Sequence, residues 1–420
     1  MKTHHFLQAL IACTVAGRRS SRAPSEWRTV PSSRVKEFTM HPLAFITRIV
    51  YVCCIAAAAS GVAAEEVVSK TTVLLGLSSQ YKDQLTSKEN IDGALAYFAS
   101  VNKRGGVFGR KIELKLYDDG RDVKRTIENT ERLIHQDKVF ALFGYRNTPS
   151  IEAVLPLIAL ERIPLIAPFS GSSTLRLNPQ VFHLRASYAQ EAAKLVEHLS
   201  TTGVNKIAIL YQDDAFGKNG MTAFQTALKA REISPVAIAK FDRRDTKVDA
   251  AVKAAAKEIA AARPDAVLMA CGAKLCVDFI KQLRATDQLI QFLTLSNVNS
   301  AEFAQDLKGD GHGVIVAQVV PYPWSRIIPL SREFQQVLKD SGSQVPLSYA
   351  SFEGFIAAKL VVTALQRTGT DLTRKKFLSA MEDMGEVDLG GMTLRYSQKS
   401  HEGSDFVDLS MVGKQGNYVH

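Results

Sequence analysis

The chain has little of what catalysis, membrane spanning or nucleic-acid binding requires. It has no G-x-G-x-x-G after its first strand, no P-loop, no G-x-S-x-G and no H-E-x-x-H. Gly311-His312-Gly313 lacks a third glycine and precedes a strand rather than a helix. His135, His183, His198 and His312 are scattered, and Asp118-Asp119 stands without further ligands nearby in sequence. No enzyme activity, metal or cofactor is therefore expected. After residue 64 no apolar run approaches the ~20 residues that cross a bilayer. Of the formal charge of +10, residues 1–64 carry +6, which leaves +4 for the remainder and no basic cluster for nucleic acid. Cysteine is scarce: Cys271 and Cys276 are the only two of five beyond residue 64. In an oxidising compartment they form a disulfide, or else they are two thiols, one at a strand end and one on the next helix. A zinc site would need partners at suitable spacing, and none is present.

What is there begins with a leader. Residues 1–39 are Arg- and Ser-rich without a core pattern and read as a non-native upstream extension. Residues 40–64 have a weakly basic start at Met40, an apolar run from Ile49 to Ala59 and small residues at Gly61–Ala64. That is the layout of a secretory signal peptide. A lipoprotein anchor on Cys53 or Cys54 is the rival reading, but both lie inside the apolar run.

The remainder is globular in composition, with 46% hydrophobic and 22% charged residues in the whole chain. Apolar strands alternate with helix-length segments, which predicts parallel sheets in an α/β fold. Strands are expected at Thr72–Ser78, Lys111–Tyr117, Val139–Phe143, Ile163–Ala167 and Val181–Leu184. A second block repeats the plan from Gln190 to Leu295, without a sequence repeat. The last hundred residues are too fragmented to bury a core of their own and should complete the two lobes. Two turns stand out, Gly144–Pro149 and Phe169–Thr174, both rich in small polar residues. A strand, a crossover helix and a parallel strand put both turns at the carboxyl edge of one sheet, where ligands of open α/β sheets bind. Hydroxyls and free N–H groups there suit an anionic or zwitterionic ligand.

Several stretches resemble the type I periplasmic binding proteins, in the leucine/isoleucine/valine-binding branch that serves ABC importers. They are Gly105–Leu114 (GGVFGRKIEL) followed by Tyr117-Asp118-Asp119, Ile163–Pro168 (IPLIAP), Tyr211–Gly217 (YQDDAFG) and Ser351–Phe355 (SFEGF). The resemblance covers residues 71–420. It implies two Rossmann-like lobes joined by a three-strand hinge, with the ligand caught between them as they close. The expected first lobe is 71–188 plus 320–388, and the second is 189–319 plus 389–420.

By position, the resemblance gives the ligand carboxylate to Thr148 and to Phe169, Ser170, Gly171 and Ser172. Phe216 becomes an aromatic wall, with further contacts near Gly272. Gln80, Tyr81, Tyr145 and Asn147 complete the expected lining. Amino-acid binders place an acidic residue where this chain has Ser296 or Asn297, and neither can pair with an ammonium group. Arg146 is a second departure: it meets the ligand, points to solvent or pairs with a carboxylate such as Glu353. Both changes favour an organic acid over a branched-chain amino acid, aromatic if Tyr81, Tyr145 and Phe216 face it. The implied protein is a periplasmic monomer that delivers a small carboxylate to an ABC permease in the inner membrane. The alternative is a sensor that presents its closed form to a signalling receptor.

Overall fold

The computed structural model describes residues 69–420 apart from 83, 84, 287, 288 and 343. The expected extension and signal peptide lie outside the described residues. The described residues form one compact unit.

The first part runs β1 (Thr72–Ser78), α1 (Leu85–Lys103), β2 (Lys111–Tyr117), α2 (Val123–His135), β3 (Ala141–Phe143), α3 (Thr148–Glu161), β4 (Leu165–Ile166) and β5 (Val181–Phe182). These strands form a parallel sheet in the order β2-β1-β3-β4-β5. Asp122 caps α2 through the Arg125 N–H at 2.8 Å, as its position predicts. The second part runs α4 (Tyr188–Thr201), β6 (Ile207–Gln212), α5 (Ala215–Lys229), β7 (Ala237–Phe241), α6 (Val248–Ala261), β8 (Ala266–Ala270), α7 (Ala273–Arg284), β9 (Gln291–Thr294), α8 (Ala301–Leu307) and β10 (Ile315–Gln318). The chain then returns to the first part with α9 (Pro329–Ser341), α10 (Tyr349–Thr368), α11 (Arg374–Glu382), β11 (Gly385–Asp388), β12 (Thr393–Ser397) and β13 (Ser400–Gly403). It ends on β14 (Asp408–Val412) and β15 (Tyr418–Val419), at the edge of a seven-stranded sheet ordered β15-β14-β10-β9-β8-β6-β7.

Parallel strands covered on both faces read as continuous apolar runs. The five residues of β8 and the first four of β6 are all buried. This is why the alternation was visible in sequence, and the α/β fold with parallel-sheet lobes follows from it. The chain passes between the two large sheets at three stretches, 183–187, 319–328 and 404–407.

One boundary differs from expectation. Residues 389–403 sit with the five-stranded sheet, not the seven-stranded one. The His183 N–H donates to the His401 carbonyl at 2.8 Å, and Tyr396 Oη donates to the His183 carbonyl at 2.6 Å. The Phe182 ring stacks on His401 at 3.9 Å. The small antiparallel sheet β11-β12-β13 thus covers β5, and only β14 and β15 join the other sheet.

Two glycines set a close contact between α1 and α10. A Cβ on Gly93 would lie 1.9 Å from the Ser351 carbonyl oxygen, and one on Gly354 would lie 1.8 Å from the Asn90 carbonyl oxygen. Only the absence of side chains lets α1 and α10 cross this tightly. The crossing also fixes Asn90, whose Nδ2 donates to the Ala350 carbonyl at 2.7 Å.

Candidate functional site

Strand order reverses between β1 and β3 in the first sheet and between β6 and β8 in the second. Loops at such switch points open a crevice at the carboxyl ends of the strands. A cavity of about 60 Å³ lies between the two sets of loops. Ser79, Gln80, Thr86, Ser87, Arg121, Arg146, Asn147, Thr148 and Phe169 line it from the first side. Tyr188, Gln212, Phe216, Gly272, Ala273 and Asn297 line it from the second.

Eight predicted residues therefore meet at this cavity: Gln80, Arg146, Asn147, Thr148, Phe169, Phe216, Gly272 and Asn297. Six others are placed elsewhere. The Tyr145 ring is fully buried in the first-part core, where its hydroxyl lies 3.0 Å from Thr130 Oγ1. Tyr81 donates to Asp92 Oδ1 at 3.1 Å, and Lys88 lies over its ring. Ser170 stands behind Thr148, oxygen to oxygen 2.9 Å, and Ser172 bonds Thr174. Gly171 packs against Tyr188. Ser296 is buried, its N–H and Oγ donating to Glu191 at 2.7 and 3.0 Å.

Seven lining residues escaped the sequence reading: Ser79, Thr86, Ser87, Arg121, Tyr188, Gln212 and Ala273. Three had a usable signal, because Ser79, Arg121 and Gln212 sit at or just past the carboxyl ends of parallel strands. Tyr188 opens α4 directly after a crossing stretch, a position that no strand pattern marks.

The lining contains two arginines and no acidic side chain. Arg146 Nη1 donates to Asn90 Oδ1 and Nη2 to the Asn297 carbonyl, each at 2.6 Å. Five guanidinium N–H donors minus these two leave three for a ligand. Burial pulls its pKa down to about 10, with Arg185 adding repulsion, so it stays charged at neutral pH. Arg121 is also pulled down to about 10, by burial and then by Arg243.

The neighbouring carboxylates are engaged away from the cavity. Arg146 does not pair with Glu353: Glu353 Oε1 instead lies 3.1 Å from Arg185 Nε, both side chains about 1% exposed. Glu191 takes the Ser296 donors. Asp214 accepts from Arg243 Nε at 2.8 Å and from Gln212 Nε2 at 2.7 Å. Asp119 accepts from Ser78 and Thr126, each at 3.1 Å.

Aromatic rings form the walls. Tyr188 and Phe216 meet edge to face at 5.3 Å, and Phe169 also lines the cavity. In the YQDDAFG stretch, Asp214 caps α5 through the Gly217 N–H at 3.1 Å. A Cβ on Gly217 would strike the Gln212 carbonyl at 1.9 Å, so the glycine holds the turn that presents Phe216. The floor at Gly272 and Ala273 is braced by a disulfide between Cys271 and Cys276, Cα atoms 5.7 Å apart. Asn297 Nδ2 donates to the Cys271 carbonyl at 2.9 Å and ties that floor to the loop after β9. Among the described residues no cluster of His, Cys, Asp and Glu could hold a metal ion, and no helix is long and apolar enough to cross a membrane.

The sequence model of the periplasmic binding protein family matches residues 71–417. The chain is similar to the Leu/Ile/Val-binding protein of Escherichia coli (strain K12), 26% identical over 183 residues, or 42% of this chain and 48% of that protein. It thus spans about half the length of the first curated relatives it matches. A substrate-binding periplasmic protein from Ralstonia solanacearum superposes with a TM-score of 0.77 at 30% identity, over 83% of this chain and 99% of that one. A possible leucine/isoleucine/valine-binding protein from Rhodopirellula baltica SH 1 gives 0.75 at 26%, over 84% and 97%.

Proposed function

The chain belongs to the periplasmic binding protein family, whose members bind solutes rather than transform them, and from that premise we propose that it captures a small organic acid, without an ammonium group, by closure of its two lobes. The observation that carries this reading is the charge of the cleft: Arg121 and Arg146 line it, and no acid does. A carboxylate meets charge-assisted donors there, flanked by the hydroxyls of Ser79 and Thr148. An amino-acid ligand would bury its ammonium group beside two cations, uncompensated, which is costly. Phe169, Tyr188 and Phe216 suit an apolar or aromatic body. Ligand that touches both sets of loops favours the closed form by its differential affinity. That closed form is the state handed to an ABC permease in the inner membrane, after export through the signal peptide at 40–64.

A thermal-shift panel tests the reading. A ligand at ~100 times its dissociation constant adds about 2.7 kcal/mol. Aliphatic or aromatic carboxylates should raise the melting temperature, and leucine and valine should not. A shift with leucine or valine alone would overturn it.

A further inference from the structure

The two arginines of the cleft stand on loops that are not neighbours. Arg121 follows β2 and Arg146 follows β3, and β1 lies between those strands. The loops therefore leave the sheet two strand spacings apart, about 10 Å. Their surroundings differ accordingly. Arg146 is at the connecting end, bonded to the Asn297 carbonyl and close to Arg185 and Glu353. Arg121 is at the other end, close to Arg243 and Asp214, which follow β7 and β6 at the far side of the second sheet.

Among the described residues Asp214 and Asp119 act on the charge of Arg121 only from a distance. Its guanidinium makes neither a hydrogen bond nor an ion pair among the described residues; only its backbone N–H is used, donating to Asp119 Oδ1 at 2.8 Å. Asp119 is turned inward onto Ser78 and Thr126, and Asp214 is taken by Arg243 and Gln212. A cation drawn into a cleft beside another cation, with every nearby carboxylate engaged, gains most from an anion brought in from outside.

We infer that the ligand is a dicarboxylate, one carboxylate held at Arg146 and Thr148, the other at Arg121, with an apolar spacer between Phe169, Tyr188 and Phe216. The inference rests on the reading of the cleft as an acid site and narrows it. A single carboxylate can satisfy one arginine and leaves the other alone. A diacid whose ends point apart neutralises both, and the aromatic rings cover what lies between.

The test is calorimetric titration of the purified protein with terephthalate against benzoate and with adipate against hexanoate, repeated on Arg121→Gln and Arg121→Lys. In at least one pair the diacid should bind tenfold or more tightly than the monoacid. In Arg121→Gln that ratio should fall to about one, while Arg121→Lys keeps part of it. The ligand-free melting temperature should not fall in either variant, since the guanidinium makes no hydrogen bond or ion pair among the described residues and its burial is unfavourable. Equal affinities for monoacid and diacid in both pairs, or a ratio untouched by Arg121→Gln, would overturn the inference and leave the acid reading standing. Binding of leucine with none of the four acids would overturn the acid reading and the inference with it.

Discussion

Arg146 Nη2 donates to the Asn297 carbonyl at 2.6 Å, so the cation that lines the cleft also joins the loop after β3 to the loop after β9. On the proposed reading, one side chain serves both the ligand and the contact between the two sheets' loops. Arg146→Ala should therefore weaken carboxylate binding by about 1.5–3 kcal/mol, roughly ten- to a hundredfold in Kd. Arg146→Lys should not restore it, because an ammonium group cannot reach Asn90, Asn297 and a ligand as a planar fork does. Calorimetry on both variants checks this, and an unchanged Kd in Arg146→Ala would contradict it.

Gly354→Ala gives a prediction of opposite sign to helix propensity. In an ordinary helix interior the change is stabilising by ~1 kcal/mol. Here the new Cβ would lie 1.8 Å from the Asn90 carbonyl, a clash with backbone that can be relieved only by moving α10 from α1. Overpacking of this kind costs ~1–3 kcal/mol or more. Because Asn90 accepts from Arg146, carboxylate affinity should fall together with the melting temperature. A variant as stable as the parent would disprove the close crossing.

The same segment shows how far the sequence could be read. SFEGF was recognisable as a motif, yet the reasons for it were not. Ser351 closes a capping box with Ser348, Glu353 meets Arg185, and Gly354 is the helix crossing. Those partners lie more than a hundred residues away for Arg185 and Asn90, and spacing along the chain carries no trace of them. Strands and helices were legible because burial on both faces leaves unbroken apolar runs. Lining positions of the candidate site were legible where the family resemblance supplied them, as at Thr148 and Gly272. Legibility failed where neighbours in one loop point opposite ways: Tyr145 enters the core while Arg146 enters the cleft, and Ser296 turns to Glu191 while Asn297 faces the cavity. Residues 389–403 were misassigned because a short antiparallel sheet gives no hint of which larger sheet it will cover.

Buried acids set a pH dependence. Burial pushes Glu191 and Glu89 up to about 7, against donors that only partly compensate. A carboxyl raised in the folded state binds its proton more tightly there than in the unfolded chain. Its contribution is fully present below the unfolded pKa near 4.5 and is lost as pH rises to about 7. Glu191→Gln should flatten that slope between these limits, as followed by melting temperature across pH. A slope unchanged in Glu191→Gln would remove Glu191 as its source.

The disulfide closes a short loop, for which the chain-entropy relation gives about 2 kcal/mol. Reduction, or the double substitution Cys271→Ser and Cys276→Ser, should lower the melting temperature by a few degrees. Ligand affinity should fall as well, since Gly272 and Ala273 lie between the two sulfurs' attachment points and line the cavity. Full reduction, verified by thiol titration, with no change in melting temperature would contradict this.

The measurement that bears most directly on the account compares leucine with isocaproate, which is leucine without its ammonium group, by calorimetric titration of the same preparation. The two share an apolar body and a carboxylate, so the difference reports only what the cleft does with a positive charge. A cleft lined by Arg121 and Arg146 without an acid should bind isocaproate at least tenfold more tightly than leucine. Tighter binding of leucine would mean that a carboxylate reaches the ligand after all, and the reading of the site as one for organic acids would be wrong.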